Sequence, residues 1–240
     1  YEVIGAESHY GPARQVGPVR EVDVKIAAKH PSARGIGILL KEMVGMALTA
    51  PPGLTGFAGA RAKPSPVVRL FSMIVPKARV RITVDCEGET VSCDDTVADA
   101  FDPATVSRHD APLAASDTDS VEVPLESLAW GRSGDKGDKA NIGIIARHPD
   151  FLPHIASQVT AQRVAELFRH FLAPGQDEPV ECFYMPGPPA LNFLLHEVLG
   201  GGGVASLRVD PQGKGYAQVL LAETVRVPRQ LAEQHALLTR

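Results

Sequence analysis

No Lys/Arg run, no apolar stretch free of breakers and no recognisable catalytic signature occurs in this 240-residue chain, and each absence removes a class of function. With a formal net charge of -4 and a sequence pI near 6.1, nothing in the electrostatics calls for nucleic acid or an anionic membrane surface. The eighteen uncharged residues from Met43 to Ala60 contain Pro51, Pro52 and several glycines, which would leave backbone groups unsatisfied in lipid, so no membrane span is expected. No basic region followed by an apolar segment opens the chain, so no signal peptide is read, and a cytoplasmic protein is expected. HExxH, CxxC, G-x-S-x-G, G-x-G-x-x-G and the phosphate-loop pattern are all missing, which leaves the common protease, redox, hydrolase and dinucleotide templates without support. Cysteine is scarce. Around Cys86 and Cys93, RITVDCEGETVSCDD reads as a hairpin turning at Glu87-Gly88, with Cys86 opposite Glu89 and Cys93 opposite Ile82. The two thiols therefore do not face each other, and with Cys182 they are read as buried and reduced.

What is present divides the chain in two. To about Arg79 the sequence is rich in breakers (GP at Gly11 and Gly17, PPGLTGFAG from Pro51, KPSP from Lys63), with one helix expected from Ala33 to Ala47. Polar SRHDAPLAASDTDS is the best linker. From Val121 the pattern becomes regular. LESLAWGRSG and ANIGIIARH are strand candidates flanking a charged loop. Thr160 opens a helix whose stripe is Val164, Leu167, Phe168, Phe171 and Leu172. PVECFYMP reads as a strand, Ala190 to Leu199 as a second helix ended by the glycines at 200–203, and VASLRVD and GYAQVLLAETVRVP as strands joined by a turn at Pro211 to Lys214. This order predicts an α+β fold, a two-layer ferredoxin-like sandwich with an antiparallel sheet and two helices on one face.

The loop SGDKGDKANIG carries the densest chemistry. Gly134 and Gly137 permit positive φ, so successive N–H groups can turn toward one point, while Lys136 and Lys139 add positive charge beside it. Asp135 and Asp138 can orient those lysines, move a proton or supply oxygens to a cation. The same residues also suit a solvated hairpin tip of compensating charges. On the expected second helix Asn192 and His196 fall four apart, on one side; Asn192 either caps and meets solvent or bonds to the loop or a ligand, and His196 reads as a surface histidine. The tetraglycine reads as termination plus a turn, longer than a cap requires.

RSGDKGDKANIGIIAR, LNF at 191–193, LGGG at 199–202 and LRVDPQGK at 207–214 together resemble the C-terminal ferredoxin-fold domain of the AtuA family, the acyclic terpene utilisation proteins. YEVIG at Tyr1, REVDVKIAAKHP from Arg20, LTAPPGLTGFAGAR from Leu48 and SPVVRLF resemble the end of that family's N-terminal domain. The resemblance implies two parts: 1–118, the end of a larger, loop-rich α/β domain with a hairpin and linker, and 119–240, the ferredoxin-fold domain. It implies that the chain is a fragment or a split subunit, and that it serves catabolism of acyclic terpenes or branched acyl-CoA compounds. On this reading Asp135, Lys136, Asp138 and Lys139 are the catalytic candidates, and Arg132, Ser133, Asn141 and Asn192 the substrate-binding ones. They would meet a small anionic substrate, a carboxylate or a CoA thioester, in a homo-oligomer, with no metal assigned and no cofactor identified. The rival expectation is a non-catalytic oligomerisation or binding module associated with an acyl-CoA enzyme.

Overall fold

Hydrophobic alternation sets the centre of the fold. In the computed structural model, which describes all residues except 16, 51, 58–60, 94–101, 115–117 and 239–240 and only the backbone at 47 and 103, chain segments fall into two compact units. The larger unit comprises Tyr1–Arg69 with His109–Arg240, and the smaller Leu70–Arg108.

In the larger unit, strand β1 (Glu2–Ile4) pairs with β2 (Asp23–Lys25), and a 3₁₀ turn at Ser8–Ala13 lies between them. Helix α1 (Ala33–Thr49) starts where Ser32 Oγ accepts from Arg34 N, at the expected place. The smaller unit holds the hairpin β3 (Ile82–Cys86) and β4 (Glu89–Cys93). Its turn residues Glu87 and Gly88 both have positive φ, 51° and 90°, and the register is the one read from sequence, Cys86 with Glu89 and Ile82 with Cys93. The expected burial of the thiols is wrong. Cys86, Cys93 and Cys182 are all exposed and free. Among the described residues of the smaller unit no buried layer covers the hairpin, so its alternation has nothing to pack against.

The larger unit continues with β5 (Ser120–Pro124), the short helix α2 (Leu125–Leu128), and the hairpin β6 (Ala129–Lys136) with β7 (Lys139–Ala146). Helices α3 (Leu152–Gln158) and α4 (Ala161–Phe168) follow, then the hairpin β8 (Val180–Met185) with β9 (Ala190–Leu195). Helix α5 (Tyr216–Leu221), β10 (Thr224–Pro228) and α6 (Arg229–Gln234) complete it. Four antiparallel strands form one sheet in the order β6-β7-β9-β8, while β5 and β10 make a separate ribbon. α4 packs on β8, and α5 on β6 and β7. The domain is an α+β ferredoxin-like sandwich, with its strands and helices running ββα then ββα.

Ala140, Ile142, Ile144 and Ala146 of β7 and Leu191, Phe193 and Leu195 of β9 all point to the helices and are buried, so the two central strands supply the core's floor. Thr160 Oγ1 accepts from Arg163 N and caps α4 as read. Four assignments fail, and in the first of them Leu125–Leu128, read as the start of a strand, form α2. Residues 190–195 are a strand, not a helix: the short apolar run fits either period, and the open edges of β7 and β8 on both sides satisfy its backbone as a central strand. GYAQVLLAETVRVP is not one strand but α5 followed by β10, because Tyr216, Ala217, Val219 and Leu220 are buried together at helical spacing. Residues 204–210, also expected as a strand, form turns and bends. No helix among the described residues is long and apolar enough to cross a membrane.

Candidate functional site

The charged loop is a tight hairpin tip. Lys136 and Lys139 close the β6–β7 ladder, and Gly137, with φ 69°, takes the first of two central turn positions. The next residue, Asp138, turns inward. Its Oδ1 accepts from Gly201 N at 2.8 Å and Gly202 N at 2.9 Å, while its carbonyl accepts from Val198 N at 3.0 Å and Leu199 N at 3.4 Å. Gly200, Gly201 and Gly202 have φ of 68°, 102° and 89°, a run of left-handed backbone that gathers amides around one carboxylate. A Cβ on Gly202 would sit 3.1 Å from Gly137 O, so glycine at 202 answers to the close approach of two backbones. The concavity that could have taken a free anion is filled by the chain's own aspartate.

Asp135 is held on the other flank. Lys214 Nζ lies 3.6 Å from Asp135 Oδ1, and a Cβ on Gly134 would come within 2.9 Å of the same ammonium. Asp210 shapes the loop that presents Lys214: its Oδ1 accepts from Lys214 N at 2.9 Å and its Oδ2 from Gly215 N at 2.7 Å. Lys29 from the N-terminal part donates to Gly200 O at 3.3 Å. Three loops distant in sequence thus meet at one end of the sheet; Lys29 and Lys214 reach across to neighbouring loops, while Lys136 and Lys139 are exposed at the hairpin tip itself.

The remaining candidates do not all gather there. Ser133 is 6% exposed on the helix side, where its Oγ accepts from Ala217 N at 2.9 Å and donates to Lys214 O at 3.1 Å, fixing the start of α5. Lys136 is exposed and its Nζ donates to Asp135 O at 2.9 Å; Arg132 and Lys139 are exposed, with no ion pair among the described residues. Asn141 Nδ2 donates to Asn192 Oδ1 at 3.1 Å on the face of the sheet opposite the helices. Arg132 shares that face by its register. His196 is not on a helix beside Asn192. It follows β9 and bonds Glu181 Oε1 at 2.9 Å.

A supporting network escaped the sequence reading although the arginine at its centre lies in LRVDPQGK. Arg208 donates through Nη1 to Val198 O and to Tyr216 Oη (3.2 Å), and through Nη2 to Phe171 O at 2.9 Å. Its guanidinium also lies 4.4 Å from the Phe171 ring centroid. Tyr216 Oη donates to Val198 O at 3.2 Å, and burial pushes its pKa up to about 12. His9 packs on Phe171 and Tyr216 and lies 3.8 Å from Asp210 Oδ2. Burial lowers the pKa of His9, against an opposing pull from Asp210, and also lowers that of His170, whose Nε2 meets His9 O at 3.0 Å. The signal was an arginine between small and apolar residues, without periodicity to say what it faces.

Two open clefts of about 510 and 500 Å³ lie beside α4, the first near Ala13, Arg163 and Glu223 and the second near Leu172, Pro174 and Gln176. Neither touches the three loops, and chemistry favours the loops, where charge and backbone amides converge.

Residues 123–226 match the AtuA ferredoxin-like domain, and residues 1–86 match the acyclic terpene utilisation family protein AtuA. No curated protein and no solved structure matched the chain. Two matches to one family, in chain order and leaving only 87–122 and 227–240 outside, place the second half on the sandwich described above. The chain belongs to the AtuA family of acyclic terpene utilisation proteins, and its second half is that family's ferredoxin-like domain.

Proposed function

We propose that the three-loop end of the sheet binds the anionic part of a small molecule, a carboxylate or the phosphate of a CoA thioester, in the catabolism of acyclic terpenes or branched acyl-CoA compounds. The observation that carries this reading is the imbalance of charge at the rim. Asp138 is committed to the Gly201 and Gly202 amides and Asp135 lies beside Lys214, while Lys136 and Lys139 stand exposed with no carboxylate partner among the described residues. Lysines act here as mobile point charges toward an incoming anion. Asp135 is the carboxylate placed to orient Lys214 or to move a proton; Asp138 is a framework group. Removing Lys136 should weaken a bound acyl-CoA by about 1.5–3 kcal/mol, roughly ten- to hundredfold. Isothermal titration of wild type and Lys136→Ala with a branched acyl-CoA tests this, and unchanged affinity would refute the placement.

A second reading has its own support. On the sheet face opposite the helices Trp130, Ile145 and Met185 are 54%, 44% and 45% exposed, a surface suited to pairing with another copy in a non-catalytic assembly. Sedimentation of Trp130→Glu distinguishes it: a shift to monomer with ligand affinity retained favours assembly through this face.

A further inference from the structure

We infer that His148, Asp150 and His235 form a binding site for a borderline divalent transition-metal ion such as zinc. One donor atom from each residue lies within 4.8 Å of the other two. The residues come from two places in the chain. His148 precedes the 3₁₀ turn Pro149–Phe151, Asp150 lies within that turn, and His235 follows the last turn of α6. Local structure fixes two of them. Asp150 N donates to His148 Nδ1 at 3.3 Å, and His235 N donates to Leu231 O at 3.2 Å. The imidazoles are 4.6 Å apart between centroids and inclined by 51°, with the buried Phe151 ring 4.7 Å from His235 and 5.9 Å from His148.

An independent feature points to a ligand. His235 Nε2 is buried and has no hydrogen-bond partner among the described residues. A buried imidazole nitrogen left unmatched is costly, whereas coordination satisfies it. Two imidazoles and one carboxylate are a donor set for zinc, cobalt, nickel or ferrous iron, and the carboxylate offsets part of the ion's charge. Ligand atoms sharing a tetrahedral zinc stand roughly 3.3 Å apart. His148 Nδ1 and Asp150 Oδ2 already stand 3.4 Å apart, so binding needs His148 Nδ1 to exchange its long 3.3 Å bond from Asp150 N for the ion and His235 to close by up to about 1.5 Å, within reach of side-chain rotations. His148 and Asp150 are partly open to solvent on one side, giving the ion a path in, while Phe151 walls the other. The bound ion would tie the turn after β7 to α6. His235 lies outside the residues matched by the family's ferredoxin-like domain, so the site is not implied by membership of the family.

The test uses the full chain after chelator treatment, titrated calorimetrically with zinc and, in parallel, with cobalt followed by visible absorption. The expected result is one ion per chain with micromolar or tighter affinity and cobalt d–d bands lacking a sulfur charge-transfer band. Affinity should fall at least tenfold in both His235→Gln and Asp150→Asn; the second changes an exposed residue and so guards against a folding defect in the first. Zinc should also raise the melting temperature of the wild type more than that of either variant. Absence of saturable binding, binding undiminished in both variants, or a sulfur band showing that the exposed thiols are the ligands would each overturn the inference.

Discussion

Asp138 illustrates how one side chain can carry a tertiary contact. Its carboxylate accepts two glycine amides in a backbone conformation that L-residues adopt only with strain. Asp138→Ala should therefore destabilise the domain by about 1.5–3 kcal/mol, read from urea unfolding; a loss below a few tenths would show that the glycine run holds its shape unaided. Arg208 is the cation counterpart, bridging Val198, Phe171 and Tyr216 with a planar fork. Arg208→Lys keeps the charge but loses that fork and the ring contact, and a lower melting temperature is expected despite conservation of charge. His9 and His170 set a pH dependence. Burial lowers both below the ordinary 6.5, so the unfolded chain takes up protons where the folded chain does not. Their contribution to stability is complete above 6.5 and is lost as pH falls toward the folded values. Melting temperature should drop between about pH 7.5 and pH 5.5, and less steeply in His9→Gln. At this scale the turn at Gly137 was legible, because turn chemistry is local; the partners of Asp135 and Asp138 were not. Arg208 was not, because its partners are far away in sequence.

Among elements, β9 is the instructive case. ALNFLL offers leucines at helical spacing and also Leu191, Phe193 and Leu195 at spacing two, and only the presence of β7 and β8 on either side decides. α5 was hidden in the opposite direction, read as strand because it runs on into β10 with little punctuation. By contrast β7 and α4 were readable, since clean alternation in one and a threonine cap in the other leave a single solution. If Phe193 anchors a central strand, Phe193→Ala should cost about 3–5 kcal/mol in chemical denaturation, the range for a large aromatic leaving a cavity in a packed core. A cost under about 1 kcal/mol would contradict its placement there.

For the molecule as a whole, burial is distributed unevenly. Among the described residues, every buried hydrophobic lies at Val123 or beyond, while α1 leaves Ile38, Val44 and Leu48 exposed. The N-terminal part is tied to the domain by contacts distant in sequence, such as Glu2 with Val209 N, and His9 with Phe171. Limited proteolysis should therefore cut first before residue 119 and leave a resistant product containing the ferredoxin-like domain. The central claim, that the lysine rim of the three-loop end receives an anionic ligand, is tested most directly by titrating a branched acyl-CoA and its free acid into the wild type and the Lys136→Ala/Lys139→Ala double variant. Saturable wild-type binding that weakens at least tenfold in a double variant of unchanged melting temperature is the predicted result; equal affinity in the two proteins would contradict it.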